Sequence, residues 1–245
     1  MSGNIITSFS RYEAKFFLTP QQLERLMPLL QTHLHVDEYG KHTISNIYYD
    51  TDRYDIIRAS IEKPIYKEKL RVRAYGIPDP ETGKIFIELK KKYKHIVYKR
   101  RIVVTPPEAQ AFLELGQHPQ NADAQITGEI AHFMALHRPE PKVYLSYDRV
   151  AMFSQENPEL RITFDTNLLW RETELDLCAG SFGQPLFPDD RVLMEIKVPG
   201  AMPLWLAHAL SENQIFRTSF SKIGTCYTSC ILPKIFTERV VTSHV

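Results

Sequence analysis

Four short segments place charged residues on alternate positions of what otherwise read as β-strands. They are Arg11-Tyr-Glu13-Ala-Lys15, Lys69-Leu-Arg71-Val-Arg73, Glu88-Leu-Lys90 and Glu195-Ile-Lys197. Successive strand side chains point to opposite faces, so each segment carries a charged row on one side and apolar or small residues on the other. A chain that does this on several strands, with cations in excess, can close its sheet around a polar, basic interior. Such an interior suits a polyanion.

The remaining pattern supplies enough strands for that closure. Strands are expected over Ser8 to Leu18, His42 to Asp50, Lys63 to Tyr75, Lys84 to Lys92, His95 to Val104, Lys142 to Phe153, Leu160 to Leu169 and Arg191 to Val198. Turn residues separate several of them, as in Ile77-Pro-Asp-Pro-Glu-Thr-Gly83 and Asn157-Pro158. Thr19-Pro20 reads as a helix start before Leu23, Leu26 and Leu30, which recur at helical spacing. Helices are also expected over Pro203 to Ser211 and Ile223 to Leu232, whereas Trp170 to Pro188 has no clear period. The expected fold class is α+β: an eight-stranded antiparallel β-barrel with helices packed outside. Residues 1–245 are read as one domain, with a helical insertion at about 107–138.

The formal net charge of +1 argues against a polyanion partner only as an average. Basic residues crowd between Lys63 and Arg101, while Asp and Glu collect in later loops such as Glu172 to Asp176. No apolar run is long enough for a transmembrane helix, and the N-terminal residues lack the pattern of a signal peptide. Three cysteines, Cys178, Cys226 and Cys230, suit a reducing compartment better than a disulfide framework, so a cytoplasmic location is expected. Cys226 and Cys230 stand one helical turn apart; a metal pair would need further ligands, and two packed thiols are the simpler reading.

With the charged faces set inward, the interior receives Arg11, Glu13, Lys15, Lys69, Arg71, Arg73, Glu88, Lys90, Lys99, Arg101, Arg149, Arg161, Asp165, Glu195 and Lys197. For any single strand, the ordinary solvated face of an antiparallel sheet is the better explanation of the alternation. Across all strands the rows are dense in Arg and poor in neutral polar residues, which a solvated face seldom is. Two cations about 6 Å apart repel by roughly 3 kcal/mol at an effective dielectric near 20, so a cavity lined with them calls for counter-anions. The forked guanidinium of Arg matches phosphate oxygens. Glu13, Glu88 and Glu195 would either neutralise neighbouring cations or hold a divalent ion, Mg²⁺ or Mn²⁺.

These segments, in order along nearly the whole chain, resemble the catalytic domain of the vacuolar transporter chaperone family. That family is the polyphosphate polymerase branch of the CYTH-like triphosphate tunnel metalloenzymes. The resemblance is carried by Arg11 to Lys15, Asn46-Ile-Tyr-Tyr-Asp-Thr51, Lys69 to Tyr75, Ile87-Glu-Leu-Lys-Lys-Lys92 and Val97-Tyr-Lys-Arg-Arg101. It continues through Tyr147-Asp-Arg149, Arg161-Ile-Thr-Phe-Asp165, Glu195-Ile-Lys197 and Ser219-Phe-Ser-Lys222.

It implies a triphosphate tunnel, Mn²⁺ or Mg²⁺ as cofactor, and growth of polyphosphate from ATP. Arg71, Arg73, Arg149, Arg161 and Lys90 would then be catalytic. Lys15, Lys69, Lys99, Arg101, Lys197 and Lys222 would bind substrate phosphates, and Glu195, Glu88 and Glu13 are the metal candidates. The implied partners are ATP and polyphosphate, with no nucleic acid and no membrane span. Arg11 stands where the hydrolytic tunnel enzymes carry their first Glu, which disfavours simple triphosphatase activity. A metal-dependent tripolyphosphatase or nucleoside triphosphatase, and a non-catalytic polyphosphate or nucleotide sensor, are the alternatives. The membrane helices and phosphate-sensing module of eukaryotic members have no counterpart in the sequence, so a stand-alone enzyme is expected.

Overall fold

The computed structural model describes residues 11–94, 96–157 and 159–242. The expected strand starts at Ser8 and His95, and Pro158 of the expected turn, lie outside the described residues. In chain order the strands are β1 (Arg11–Leu18), β2 (His35–Val36), β3 (His42–Asp50), β4 (Tyr66–Tyr75), β5 (Ile85–Tyr93) and β6 (Ile96–Val104). They continue with β7 (Glu140–Phe153), β8 (Arg161–Arg171), β9 (Gln184–Pro185), β10 (Val192–Pro199) and β11 (Arg217–Thr218). The helices are α1 (Pro20–His33), α2 (Asp55–Ile61), α3 (Pro106–Leu115), α4 (Ala124–His137), α5 (Leu204–Glu212), α6 (Lys222–Cys226) and α7 (Leu232–Thr242). A π-helical turn at Tyr227–Ile231 joins α6 to α7, where the sequence suggests one uninterrupted helix.

Local chemistry accounts for the best-defined starts. Thr19 and Thr105 each head a capping box, accepting from the backbone N–H of Gln22 and Glu108 while those side chains accept in return from the cap backbone. Proline occupies the first turn of both helices, where no N–H is missed.

The eight long strands are those expected, but they do not form the expected barrel. Eleven strands hydrogen-bond in the order β11-β1-β10-β8-β7-β3-β4-β5-β6, with β2 on β7 and β9 on β8. The path ends at β6 on one side and β11 on the other, and no pairing joins these ends among the described residues. The sheet is therefore open, and the eight-stranded closed tunnel is not the architecture of this chain. Strand count and alternation are compatible with both an open and a closed sheet; closure depends on the register and shear between strands.

The chain divides into two compact units. The first contains the described residues through His42, Asp148–Asn167 and Phe187–Phe220. Here β1, β8 and β10 turn Ala14, Phe16, Ile162, Phe164, Met194 and Ile196 to one side. Leu26 and Leu30 of α1 and Leu206 and Ala209 of α5 cover that side as a continuous apolar core.

The second unit contains Thr43–Tyr147, Leu168–Leu186 and the residues from Ser221 onward. Its core joins Leu70, Val72 and Ala74 of β4 and Ile85, Ile87 and Leu89 of β5 to Phe112 of α3 and to Ile130 and Phe133 of α4. Each fully buried Leu, Ile or Phe contributes about 1.5–3 kcal/mol, so these stripes decide which strand face is turned inward. The charged residues take the opposite face by the period of two. At Lys91 and Arg100, which lie on the core side, Glu129 of α4 supplies the counter-charge at 2.9 and 3.1 Å.

Candidate functional site

In the second unit the register sets the cations side by side. Lys69, Lys90 and Lys99 stand directly opposite one another across β4, β5 and β6, as do Arg71, Glu88 and Arg101 in the next row. Lys67 faces Lys92, and Arg73 faces Phe86. This one face thus carries four cations from β4, two from β5 and two from β6 against a single carboxylate, Glu88. Like charges directly opposite are destabilising, so the row of three lysines is unfavourable for a sheet facing only water.

Glu88 is the hub of the arginines. Its Oε2 accepts from Arg71 Nε at 2.7 Å and its Oε1 from Arg101 Nε at 2.8 Å, with a further contact to Arg101 Nη2. Arg73 Nη1 lies 3.9 Å away. Burial on its own would raise the Glu88 carboxyl, but the charges of Arg71 and Arg73 and the bonds from Arg101 overcome it and lower it to about 2.

Phenols and an amide complete the support. Arg71 donates to Tyr48 (3.2 Å), Arg101 to Tyr75 (3.0 Å), and Arg73 to Asn46 (2.9 Å) and Tyr147 (3.4 Å). Asn46 in turn donates to the Leu145 carbonyl, which fixes its orientation. Burial would raise the Tyr48 phenol as well, yet the Arg71 and Arg73 charges hold it below its ordinary value. Lys222, at the start of α6 after its Ser221 cap, sits 4.5 Å over the Tyr147 ring.

The first unit has a different balance. Rows read Glu13, Lys197, Arg161 and then Lys15, Glu195, Thr163 across β1, β10 and β8. Each row therefore contains one opposite-charge pair, Glu13 with Lys197 and Lys15 with Glu195, although Lys197 also faces Arg161. Lys15 Nζ lies 3.8 Å from Glu13 and 3.7 Å from Glu195, and donates to the Phe220 carbonyl at 3.0 Å. Arg149 makes two bonds, of 2.6 and 2.7 Å, to the fully buried Asp165. Burial lowers the Lys197 ammonium, against the pull of Glu13 and Glu195 and with the push of Arg149 and Arg161. Arg161 is the outlier: its side chain is 52% exposed and it reaches Asp37 at 3.3 Å.

The expected site residues thus divide between the units. Arg71, Arg73, Lys90, Lys69, Lys99, Arg101, Lys222 and Glu88 belong to the second, while Arg149, Arg161, Lys15, Lys197, Glu195 and Glu13 belong to the first. The side chain of Arg11 lies outside the described residues. Tyr48, Tyr75 and Asn46 received no role from the sequence. Their one signal is parity: Asn46 and Tyr48 fall on the polar phase of β3, but only the register shows them opposite Arg73 and Arg71.

No group of three or more His, Cys, Asp or Glu side chains gathers among the described residues. A divalent ion would therefore need oxygens from its substrate, which is how Mg²⁺ is commonly held. Glu88 is already saturated by guanidinium donors. Glu195 is less engaged: it shares Lys15 with Glu13, and the Thr163 hydroxyl opposite it is buried with no hydrogen-bond partner among the described residues. A buried hydroxyl oxygen opposite a carboxylate suits a hard cation or its water.

Helix-backed antiparallel strands, with ionic rows on the face opposite each core, define an α+β protein. A model of the VTC domain matches residues 10–231, and the chain belongs to the VTC domain family. It is 24% identical over 200 residues to vacuolar transporter chaperone complex subunit 4 of Schizosaccharomyces pombe; the match covers 68% of this chain and 27% of that protein. The chain thus spans about a quarter of the length of that curated relative. A crystal structure from Bacillus halodurans, bearing a provisional adenylate cyclase assignment, aligns with a TM-score of 0.52 at 14% identity. It covers 85% of this chain and 92% of that one, and it is a likeness of fold. No described helix is long and apolar enough to cross a membrane.

Proposed function

We propose that this chain is a metal-dependent polyphosphate polymerase that transfers the γ-phosphoryl group of ATP to a growing polyphosphate chain and releases ADP. The observation that carries this reading is the face of β4 to β6, where eight cations meet one carboxylate. From Lys67 to Arg73 that face runs about 20 Å along the strand, room for a string of phosphoryl groups rather than one. Membership of the VTC domain family and the fungal relative support the same substrate class.

Phosphoryl transfer asks little covalent chemistry of a protein; positioning and charge stabilisation dominate. Arg71, Arg73 and Arg101 are held rigid by Glu88, Asn46 and the tyrosines, so their free N–H groups are preorganised for phosphate oxygens. Lys69, Lys90 and Lys99 add further positive charges beside them, and Lys222 comes from α6. In the first unit Lys15, Lys197, Arg149 and Arg161 offer further cations. Glu13 and Glu195 would hold Mn²⁺ or Mg²⁺, which when bound neutralises charge on the transferring and leaving oxygens. The attacking terminal phosphate is already anionic, so no side chain need act as general base.

Incubation of the protein with ATP and Mn²⁺ tests this. Long phosphate polymer with stoichiometric ADP is expected; orthophosphate alone would mean a hydrolase, and binding without turnover a sensor. Arg71→Ala should lower polymer synthesis by at least about a hundredfold, the usual cost of one preorganised charge-stabilising donor.

A further inference from the structure

The end of β4, β5 and β6 around the β5–β6 turn carries an exposed apolar cluster that neither core nor phosphate chemistry uses. Ile65, Tyr66, Tyr93, Ile96, Val97 and Tyr98 are each at least 43% exposed. The register places Tyr66, Tyr93 and Ile96 side by side across the three strands, and the Lys94 N–H bonds the Ile65 carbonyl at 3.1 Å. Lysines flank this group: exposed Lys63, half-buried Lys92, and Lys94, whose ammonium lies 5.4 Å from the Tyr93 ring. Of the nearby carboxylates, Glu68 is taken by His137 and the Tyr66 hydroxyl, and Glu62 lies at the end of α2.

We propose that this tip docks on a membrane surface containing anionic lipid, seating its tyrosines and aliphatic side chains at headgroup depth and its lysines among the headgroups. Three observations select that occupant. Tyrosine and lysine side chains, apolar along the body and polar at the tip, are suited to the bilayer interface. Ile65, Ile96 and Val97 gain nothing from a phosphate polymer, whereas transfer to the acyl boundary removes them from water. A second copy of the chain is disfavoured: antiparallel pairing of the β6 edge through its Lys99-Arg100-Arg101 centre would set cations against cations. The inference is independent of the polymerase reading, since Ile65, Tyr66, Tyr93, Lys94 and Ile96 lie outside the proposed machinery; Lys92 alone is shared with the cationic face.

The test is flotation of the full chain with vesicles of phosphatidylcholine alone or with phosphatidylserine. Binding is expected only with phosphatidylserine, weakened about tenfold or more by Tyr93→Ser with Ile96→Ser. Lys63→Glu with Lys94→Glu should weaken it by at least about fivefold per lysine. The Tyr93 and Ile96 variant should retain any polymer synthesis in solution. Ile96→Trp should bind at least as well as the wild type and be quenched by brominated acyl chains, a readout independent of any loss of fold. Three results would overturn the proposal: no flotation with anionic vesicles, equal flotation with neutral ones, or undiminished binding by the Tyr93 and Ile96 variant. The last, if added polyphosphate displaced the protein, would mark the tip as a plain polyanion site.

Discussion

Replacing Glu88 by Gln isolates the electrostatic centre of the second unit. The substitution keeps the shape but removes the one negative charge among Arg71, Arg73 and Arg101 and turns one acceptor oxygen into an NH2 donor. In the folded protein the Glu88 carboxyl is lowered from 4.5 to about 2. A depression of that size corresponds to about 3 kcal/mol of stability carried by the ionised form. The contribution is complete above pH about 4.5 and vanishes as pH falls through about 2, because the unfolded chain takes up the proton first. At pH 7, Glu88→Gln should therefore unfold with about 3 kcal/mol less free energy, or about 6–12 °C lower in Tm for a chain of this size. The assay is thermal and urea unfolding of both proteins from pH 7 to 2. Their stability difference should shrink steadily between pH 4.5 and 2, since carboxylates common to both cancel. Equal melting at pH 7, or parallel pH profiles throughout, would refute the assignment of Glu88 as the charge hub.

Other perturbations follow from the same geometry. Asp165→Asn leaves the Arg149 charge, whose side chain is only 14% exposed, without its bidentate partner, and should cost about 3–5 kcal/mol in denaturant unfolding. Arg171 stacks between Tyr144 and Phe182, at 3.4 and 3.9 Å, and donates to the carbonyls of Glu174, Asp176, Gly180 and Phe182. Arg171→Ala should therefore cost about 3 kcal/mol and expose the 172–183 segment to limited proteolysis. Thr163→Val removes a buried hydroxyl that has no partner among the described residues, so unfolding free energy should hold or rise by about 1 kcal/mol; a fall of that size would show the hydroxyl to be bonded.

Strand positions and faces were legible in the sequence because burial enforces the period of two. Leu70, Val72 and Ala74 had to face the α3 and α4 core, which left Lys69, Arg71 and Arg73 on the other side. The ambiguous Tyr98-Lys-Arg-Arg101 run resolves the same way: Ile102 enters the core, so Arg100 shares that side with Glu129 and Arg101 faces Glu88. Closure was not legible, because alternation identifies a strand's faces and not its neighbours, and β6 and β11 end an open path. Nor was the division of charge, since whether a Glu neutralises a Lys depends on register. Lys15 and Lys197 meet Glu195 and Glu13 across a ladder, whereas Lys90 meets two more lysines. Arg161 carries the sequence signature of its neighbours yet is half in solvent beside Asp37, a loop residue that no periodicity points to.

The cationic face of β4 to β6 is tested most directly by melting the wild type and Lys90→Glu with and without polyphosphate. Lys90 stands between Lys69 and Lys99, so reversing its charge turns two cross-strand repulsions into attractions. Without ligand the variant should melt higher, by about 2–4 °C for roughly 1 kcal/mol. With polyphosphate the wild type should gain stability and the variant gain far less. A variant that melts lower alone, or is stabilised by polyphosphate as fully as the wild type, would contradict a face built to be completed by phosphate.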